Sequence, residues 1–381
     1  MALRTVAWSG LGVIVVGAAL FAGWMSTLPG RAPNMGAPAI SSGEIASDIA
    51  ALKPPKRARP LVAIVGLNDA TETTDYLMPY GVLKRADVAD VVAVASAPGP
   101  VKLFPALKVA PDATIADFDA QHPDGADYVI VPAMSRDDDP VVTRWLREQK
   151  AKGAIIIGVC AGAKVVAAAG LLDGRQATTH WYYVGELRKK HPDVVYVADR
   201  RMVVDDGVAT TTGVTASMPM SLTLIEAIAG RPKAEDVAHA LGLKDWSLRH
   251  DSGAFALTRP FALTVTRNVL TSLGVEKFGM ALEPGVDELS LALVADAWSR
   301  TYRSRAQTFA ATGEPQTSRN GLRILPDVVA ADWSGPALPR LEGRAPAEFL
   351  DQALDAIAKR YGEPTARVVA MQLEYPGRAA Q

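Results

Sequence analysis

Residues 154–172 read AIIIGVCAGAKVVAAAGLL: a short apolar run, a Gly-Val-Cys-Ala-Gly turn, then an alanine-rich stretch. The run predicts a strand buried on both faces, and the alanines predict a helix. Gly158 and Gly162 stand two before and two after Cys160, the spacing of a nucleophile elbow, where a β-carbon at either glycine would collide with neighbouring backbone. Such a turn lifts the thiol out of the sheet and sets it at a helix N-terminus, whose free N–H groups and dipole favour thiolate. Cys160 is the chain's single cysteine, which excludes an intrachain disulfide and a Cys-based zinc cage. The bland role open to it is that of a small buried hydrophobe. A phosphate loop does not fit: three residues, not four, separate the glycines, and Lys164 is followed by Val165 where Ser or Thr is needed.

Upstream, LVAIVGL from Leu61, LMPYGVLKRA, VVAVA, YVIVPA and VVTRWLREQKAKG alternate β-branched runs with amphipathic segments, the pattern of an α/β fold with a parallel sheet between helices. Asp139 is placed to cap a helix that opens with Pro140 and stops at Gly153. A length of 381 residues predicts more than one domain, and 49% hydrophobic against 21% charged residues predicts a folded chain. Forty Lys+Arg against forty-one Asp+Glu removes the basic footprint of a general nucleic-acid binder.

No side chain is charged from Thr5 to Gly30, and TVAWSGLGVIVVGAALFAGW is long enough to cross a bilayer; export signals have shorter apolar cores. Residues 1–27 are therefore expected to be a single-pass membrane anchor. Arg4 before the run and Arg31 after it weakly favour an exported body, on the periplasmic side in a bacterium. Residues 28–60, rich in Pro, Gly, Ala and Ser, predict a flexible tether, with a short helical turn around Glu44 to Leu52.

The segments GVCAGAKVVAAAGLLDGRQATTHW and ATTTGVTASMPMSLTLIEAIAG resemble the ThiJ/PfpI family of the class I glutamine amidotransferase-like superfamily. Within it they are most similar to isonitrile hydratases and to the amidotransferase-like domains of AraC-type regulators. The resemblance covers about Leu61 to Gly242, and it implies a flavodoxin-like three-layer sandwich over residues 61–244. It also implies an acid four residues before a proline, matched by Asp75 before Pro79, that bonds to the cysteine and shuttles a proton. Asp75 could instead cap the helix that begins near Tyr76. His180 matches the family's histidine near the cysteine, either catalytic or structural. The backbone N–H groups of Met134 and Ala161 become oxyanion candidates. Two departures matter: Ala161 stands where PfpI-type peptidases carry histidine, which argues against proteolysis, and Ala133-Met134 replaces the family's glycine pair.

Within residues 245–381, Asp287 through Arg300 and then LRILPDVVAAD from Leu322 parallel Thr74 through Arg85 and LKVAPDATIAD from Leu107. The closing EFLDQALDAIAKRYGEPTARVVAMQL parallels PMSLTLIEAIAGRPKAEDVAHAL. This predicts a degenerate second α/β copy without an elbow, serving as an intrachain pseudo-dimer partner, with Glu288 a relic of the acid position or a donor to the first copy's pocket. Fifteen Lys+Arg against sixteen Asp+Glu in that half, and no basic recognition helix, argue against the DNA-binding motifs that follow this domain in AraC-type regulators. The five histidines are scattered, so neither a metal nor another cofactor is expected. Two functions stay open: a membrane-anchored, cysteine-dependent hydratase, hydrolase or lyase acting on a small electrophile, or a non-catalytic ligand-binding or redox-sensing protein.

Overall fold

A computed structural model describes residues 17, 19–33, 35–243, 245–272 and 274–376. Seven apolar runs become strands of one sheet: β1 (Leu61–Gly66), β2 (Asp90–Ala95), β3 (Ala113–Thr114), β4 (Tyr128–Val131), β5 (Ile155–Gly158), β6 (Met202–Asp205) and β7 (Val208–Thr211). Their order is β6-β7-β5-β4-β1-β2-β3, and every pairing is parallel except β6 with β7. Side-chain alternation divides each strand between two cores. Ile64, Tyr128 and Ile157 face one, with helix α1 (Thr73–Ala86); Ala63, Val129 and Ile156 face the other, with α2 (Pro140–Ala151) and α3 (Gly162–Ala168). Helices on both faces make the flavodoxin-like α/β sandwich. Asp139 caps α2 through its Oδ1, accepting the Val141 and Val142 N–H groups. The unit closes with α4 (Ser217–Ala229) and α5 (Arg231–Leu241).

The second half contains α6 (Arg259–Thr271), β8 (Glu276–Ala281), α7 (Glu288–Ser299), β9 (Ser304–Ala310), β10 (Val328–Val329), α8 (Pro346–Tyr361) and α9 (Glu363–Gln372). Strands β8, β9 and β10 form a parallel three-stranded sheet. Its joints repeat those of the first half: Asp112 Oδ2 accepts the Ala93 N–H at 2.9 Å, and Asp327 Oδ2 accepts the Thr308 N–H at 2.9 Å. The strand Lys108–Ala110 runs antiparallel to Arg323–Ile324, with Ala110 opposite Arg323 and Val109 opposite Ile324. Helices α1 and α7 pack together with reciprocal ion pairs. Arg85, near the end of α1, reaches Asp287, the N-cap of α7, at 2.8 Å; Arg300, the C-cap of α7, reaches Glu72, the N-cap of α1, at 2.5 Å. Each helix thus meets the other as across a two-fold axis. One continuous core joins α1, α4, α7 and α8 through Tyr76, Leu83, Leu224, Leu289 and Leu354.

Most of the expected membrane span lies outside the described residues, which contain no helix long and apolar enough to cross a bilayer. Its last turn belongs to the body: Met25 is buried, and Arg259 donates to the carbonyls of Met25 and Leu28. Residues 28–60, expected as a tether, also lie against the body. Their helix Ser42–Ala51 is capped by Ser41, and its Glu44 pairs with Arg200. Asp127 explains the basic end. Fully buried, it accepts the Lys56, Arg57 and Leu61 N–H groups and an ion pair from Arg57 at 2.6 Å.

Candidate active site

Cys160 follows β5 with φ +57°, in the left-handed region that an elbow requires and that side chains rarely adopt. The flanking glycines are sterically obligatory in different degrees. A β-carbon on Gly162 would stand 1.9 Å from the Val131 carbonyl oxygen, and one on Gly158 would stand 3.0 Å from Ala163 backbone. The elbow is braced by threonines of the two downstream motifs. Cys160 N–H donates to Thr211 Oγ1 at 3.2 Å, and Thr179 Oγ1 donates to the Cys160 carbonyl at 2.9 Å.

The thiol lies on the wall of an open cavity of about 750 Å³, at the carboxyl ends of β1, β4 and β5, together with Glu72, Ala133, Met134, His180 and Arg300. Asp75 sits behind this wall, fully buried. Its Oδ2 accepts the Ala133 N–H at 3.1 Å, while Oδ1 has no hydrogen-bond partner, so the bond to the cysteine that the family resemblance implies is not made: the carboxyl is turned to the Ala133 backbone instead. The helix cap is Glu72, whose carboxylate accepts the Asp75 N–H at 2.6 Å, so the capping role open to Asp75 belongs to its neighbour. Burial pushes the Asp75 carboxyl up to about 7, against the pull of the Ala133 N–H and of Arg300. Burial, then the Asp75 and Asp296 charges, also raise Glu72 well above the carboxylate range.

The elbow's expected preference for thiolate is overturned. The Ala161 N–H at the helix start lowers the thiol's pKa, but burial, followed by the charges of Asp75, Glu72 and Glu374, pushes it well above its usual value. The first turn of a seven-residue helix does not outweigh burial together with three carboxyl groups.

His180 lines the cavity with both ring nitrogens engaged. Nδ1 accepts the Tyr182 N–H at 3.2 Å, so Nε2 carries the proton and donates to the Gln372 carbonyl at 3.0 Å. Burial lowers its pKa, keeping it neutral, and neither nitrogen is left to take a proton from sulfur. The two oxyanion candidates differ from it: neither the Met134 nor the Ala161 N–H donates to a carbonyl among the described residues. Lys164, which also lines the cavity, pairs with Asp137 at 3.4 Å.

Sequence reasoning missed the second half's contribution. Glu288 does not reach the cavity; it is buried against Gly81 and bonded to Asn320. Arg300 reaches it instead, held by Asp296 at 2.5 Å and by Glu72, with no partner for Nη1 among the described residues. The signal was present, because the repeat aligns Arg300 with Arg85. Glu374, 2% exposed, accepts the Trp181 and Gly213 N–H groups at 2.6 and 2.7 Å, clamping both threonine-rich motifs. No local pattern marks it.

A cysteine elbow on a flavodoxin-like sheet, with a buried carboxyl behind it, defines the class of the first half. The model of the DJ-1/PfpI family matches residues 62–227, and the chain belongs to this family. Isonitrile hydratase of Pseudomonas putida is 32% identical over 166 residues, which make up 42% of this chain and 69% of that one. The Parkinson disease protein 7 homolog of Danio rerio is 29% identical over 189 residues, 48% of this chain and 97% of that one. The HTH-type transcriptional regulator CdhR of Pseudomonas aeruginosa is 34% identical over 99 residues, 26% of this chain and 29% of that one.

Proposed function

We propose that the chain is a cysteine-dependent hydratase, hydrolase or lyase in which Cys160 attacks a small electrophilic carbon of the isonitrile, aldehyde or amide type. The observation that carries this reading is a thiol at a strained elbow on a cavity wall, with the buried Asp75 carboxyl close enough for its charge to act on the sulfur. Because the thiol is held protonated, attack needs a base at the moment of bonding. Asp75, ionising near neutral pH, accepts the thiol proton as the Sγ–C bond forms and a π pair moves to the heteroatom, which leaves the negative charge on oxygen in a carbonyl and on carbon, as its existing lone pair, in an isonitrile. The Met134 and Ala161 N–H groups stand for the oxyanion of a carbonyl substrate. Asp75 then returns the proton, to carbon in an isonitrile adduct, to the departing amine in an amide and to oxygen in an aldehyde; water adds to the resulting thioimidate or thioester carbon, or replaces sulfur in the aldehyde adduct, and the thiol leaves with a proton from that water. His180 is a positioning residue in this scheme.

The test is turnover of an aryl isonitrile, an aromatic aldehyde and a primary amide by the full chain. Cys160→Ser is expected to lose activity at least a thousandfold with unchanged circular dichroism; turnover surviving in that variant overturns the proposal. A non-catalytic ligand-binding role draws on the same raised thiol pKa, and it predicts binding that persists in Cys160→Ser. Peroxide sensing gains less, since oxidation proceeds through thiolate.

We further infer that residues 245–381 are a degenerate copy standing where a second subunit would, supported by the paired joints and reciprocal ion pairs. A small molecule is the partner favoured over nucleic acid, given that half's charge balance. The uncharged run supports a membrane anchor upstream of Trp24, with the body exported. Release of the chain from membranes by alkaline carbonate would remove that reading.

A further inference from the structure

The family match ends at residue 227, yet much of the cavity wall in front of Cys160 comes from outside it. Trp24 enters from the N-terminal segment, Leu257, Phe261 and Val265 from the start and face of α6, and Arg300 and Tyr302 from the loop after α7. The lining carries charged and polar groups, among them Glu72, Lys164, His180 and Arg300, and from outside the family match an apolar stretch of Trp24, Leu257, Phe261 and Val265. Trp24, Phe104, Tyr182 and Tyr302 both line the cavity and stand exposed, so they form its rim. A cavity of about 750 Å³ is far larger than a small electrophilic group needs and falls in the range of sites that enclose whole organic ligands.

We propose that the substrate is an amphiphile, with a small electrophilic head at Cys160 and an apolar tail of several carbons lying along α6 toward Trp24. This rests on the nucleophile reading and adds the substrate class to it. The energetic argument is direct. Moving methylenes from water to an apolar wall is favourable in proportion to the area buried, so a tail along α6 supplies binding energy that a head group alone lacks. Trp24, Leu257, Phe261 and Val265 lie outside the residues that match the family, so a tail preference set by them belongs to this chain and not to the elbow.

The test uses N-methyl-, N-butyl- and N-octylmaleimide on the full chain in one mild detergent at pH 8.5, with glutathione as the reference thiol. In each reaction Sγ adds across the C=C bond, the thiol hydrogen ends on the neighbouring carbon, and nothing is released. Relative to glutathione, the octyl-to-methyl ratio of rate constants at Cys160 is expected to be tenfold or more. It should fall toward one in Val265→Asn and in the rim variant Trp24→Ala, while the methyl rate changes less than twofold. A wild-type ratio no greater than that of glutathione overturns the tail site, and so does a high ratio untouched by both substitutions. Silence of Cys160 toward every probe, the methyl compound included, overturns the nucleophile reading and this inference with it.

Discussion

Cys160 holds a left-handed backbone because Gly162 lets the helix start press against the Val131 carbonyl, and the nucleophile's position depends on that contact. Gly162→Ala is expected to cost about 3 kcal/mol or more, since the oxygen it meets is backbone and cannot swing away; urea denaturation measures it. Asp75 makes two further predictions. Its raised pKa means that the folded chain holds a proton which the unfolded chain releases. Its stabilising share is therefore complete below about pH 4 and is lost as pH rises toward about 7, by at most about 1.4 kcal/mol per pH unit. Asp75→Asn should flatten that part of the stability profile, leaving the share due to Glu72. The same substitution removes the largest charge acting on the thiol after burial, so the pKa of Cys160, read from the pH dependence of iodoacetamide labelling, should fall while turnover is lost. A thiol pKa unchanged in Asp75→Asn would separate the two groups.

Helices α1 and α7 are joined at both ends by an arginine on the other's N-cap carboxylate, but only one end faces the cysteine. That asymmetry supplies its own control. Arg85→Met and Arg300→Met each leave a poorly exposed carboxylate without its cation, at an expected cost of about 3–5 kcal/mol in thermal or chemical denaturation. Only Arg300→Met should also shift the pH profile of Cys160 labelling, because Glu72 lines the cavity and Asp287 does not. Equal profiles in the two variants would confine Arg300 to a structural role. Thr74 reinforces the cluster, donating to Glu72 at 3.0 Å and to Asp296 at 3.2 Å, one carboxylate from each half.

At the scale of the whole molecule, the two halves share one core face, with Tyr76 and Leu83 packed among Leu289, Leu354 and Val369. Neither half buries its apolar face alone, so unfolding is expected to be a single cooperative transition, with tryptophan fluorescence and circular dichroism coincident. Two resolved transitions would show that the halves are independent. The elbow and the parallel sheet were legible in the sequence because each rests on neighbours along the chain: glycine spacing around Cys160 and apolar runs from Leu61 to Ile157. Asp75 was legible only through the family's spacing, and its capping neighbour Glu72 passed unnoticed. The packed course of residues 28–60, the wall built by Trp24 and α6, and the arrival of Arg300 and Glu374 at the site were not legible. They join residues more than sixty positions apart, and in the Arg300–Glu72 and Glu374–Gly213 bonds at the site more than a hundred and fifty. The thiol's protonation went the same way. A helix start is a local feature that favours thiolate, whereas burial and carboxylates gathered from both halves are properties of the folded chain, and at the interior's low polarity they prevail.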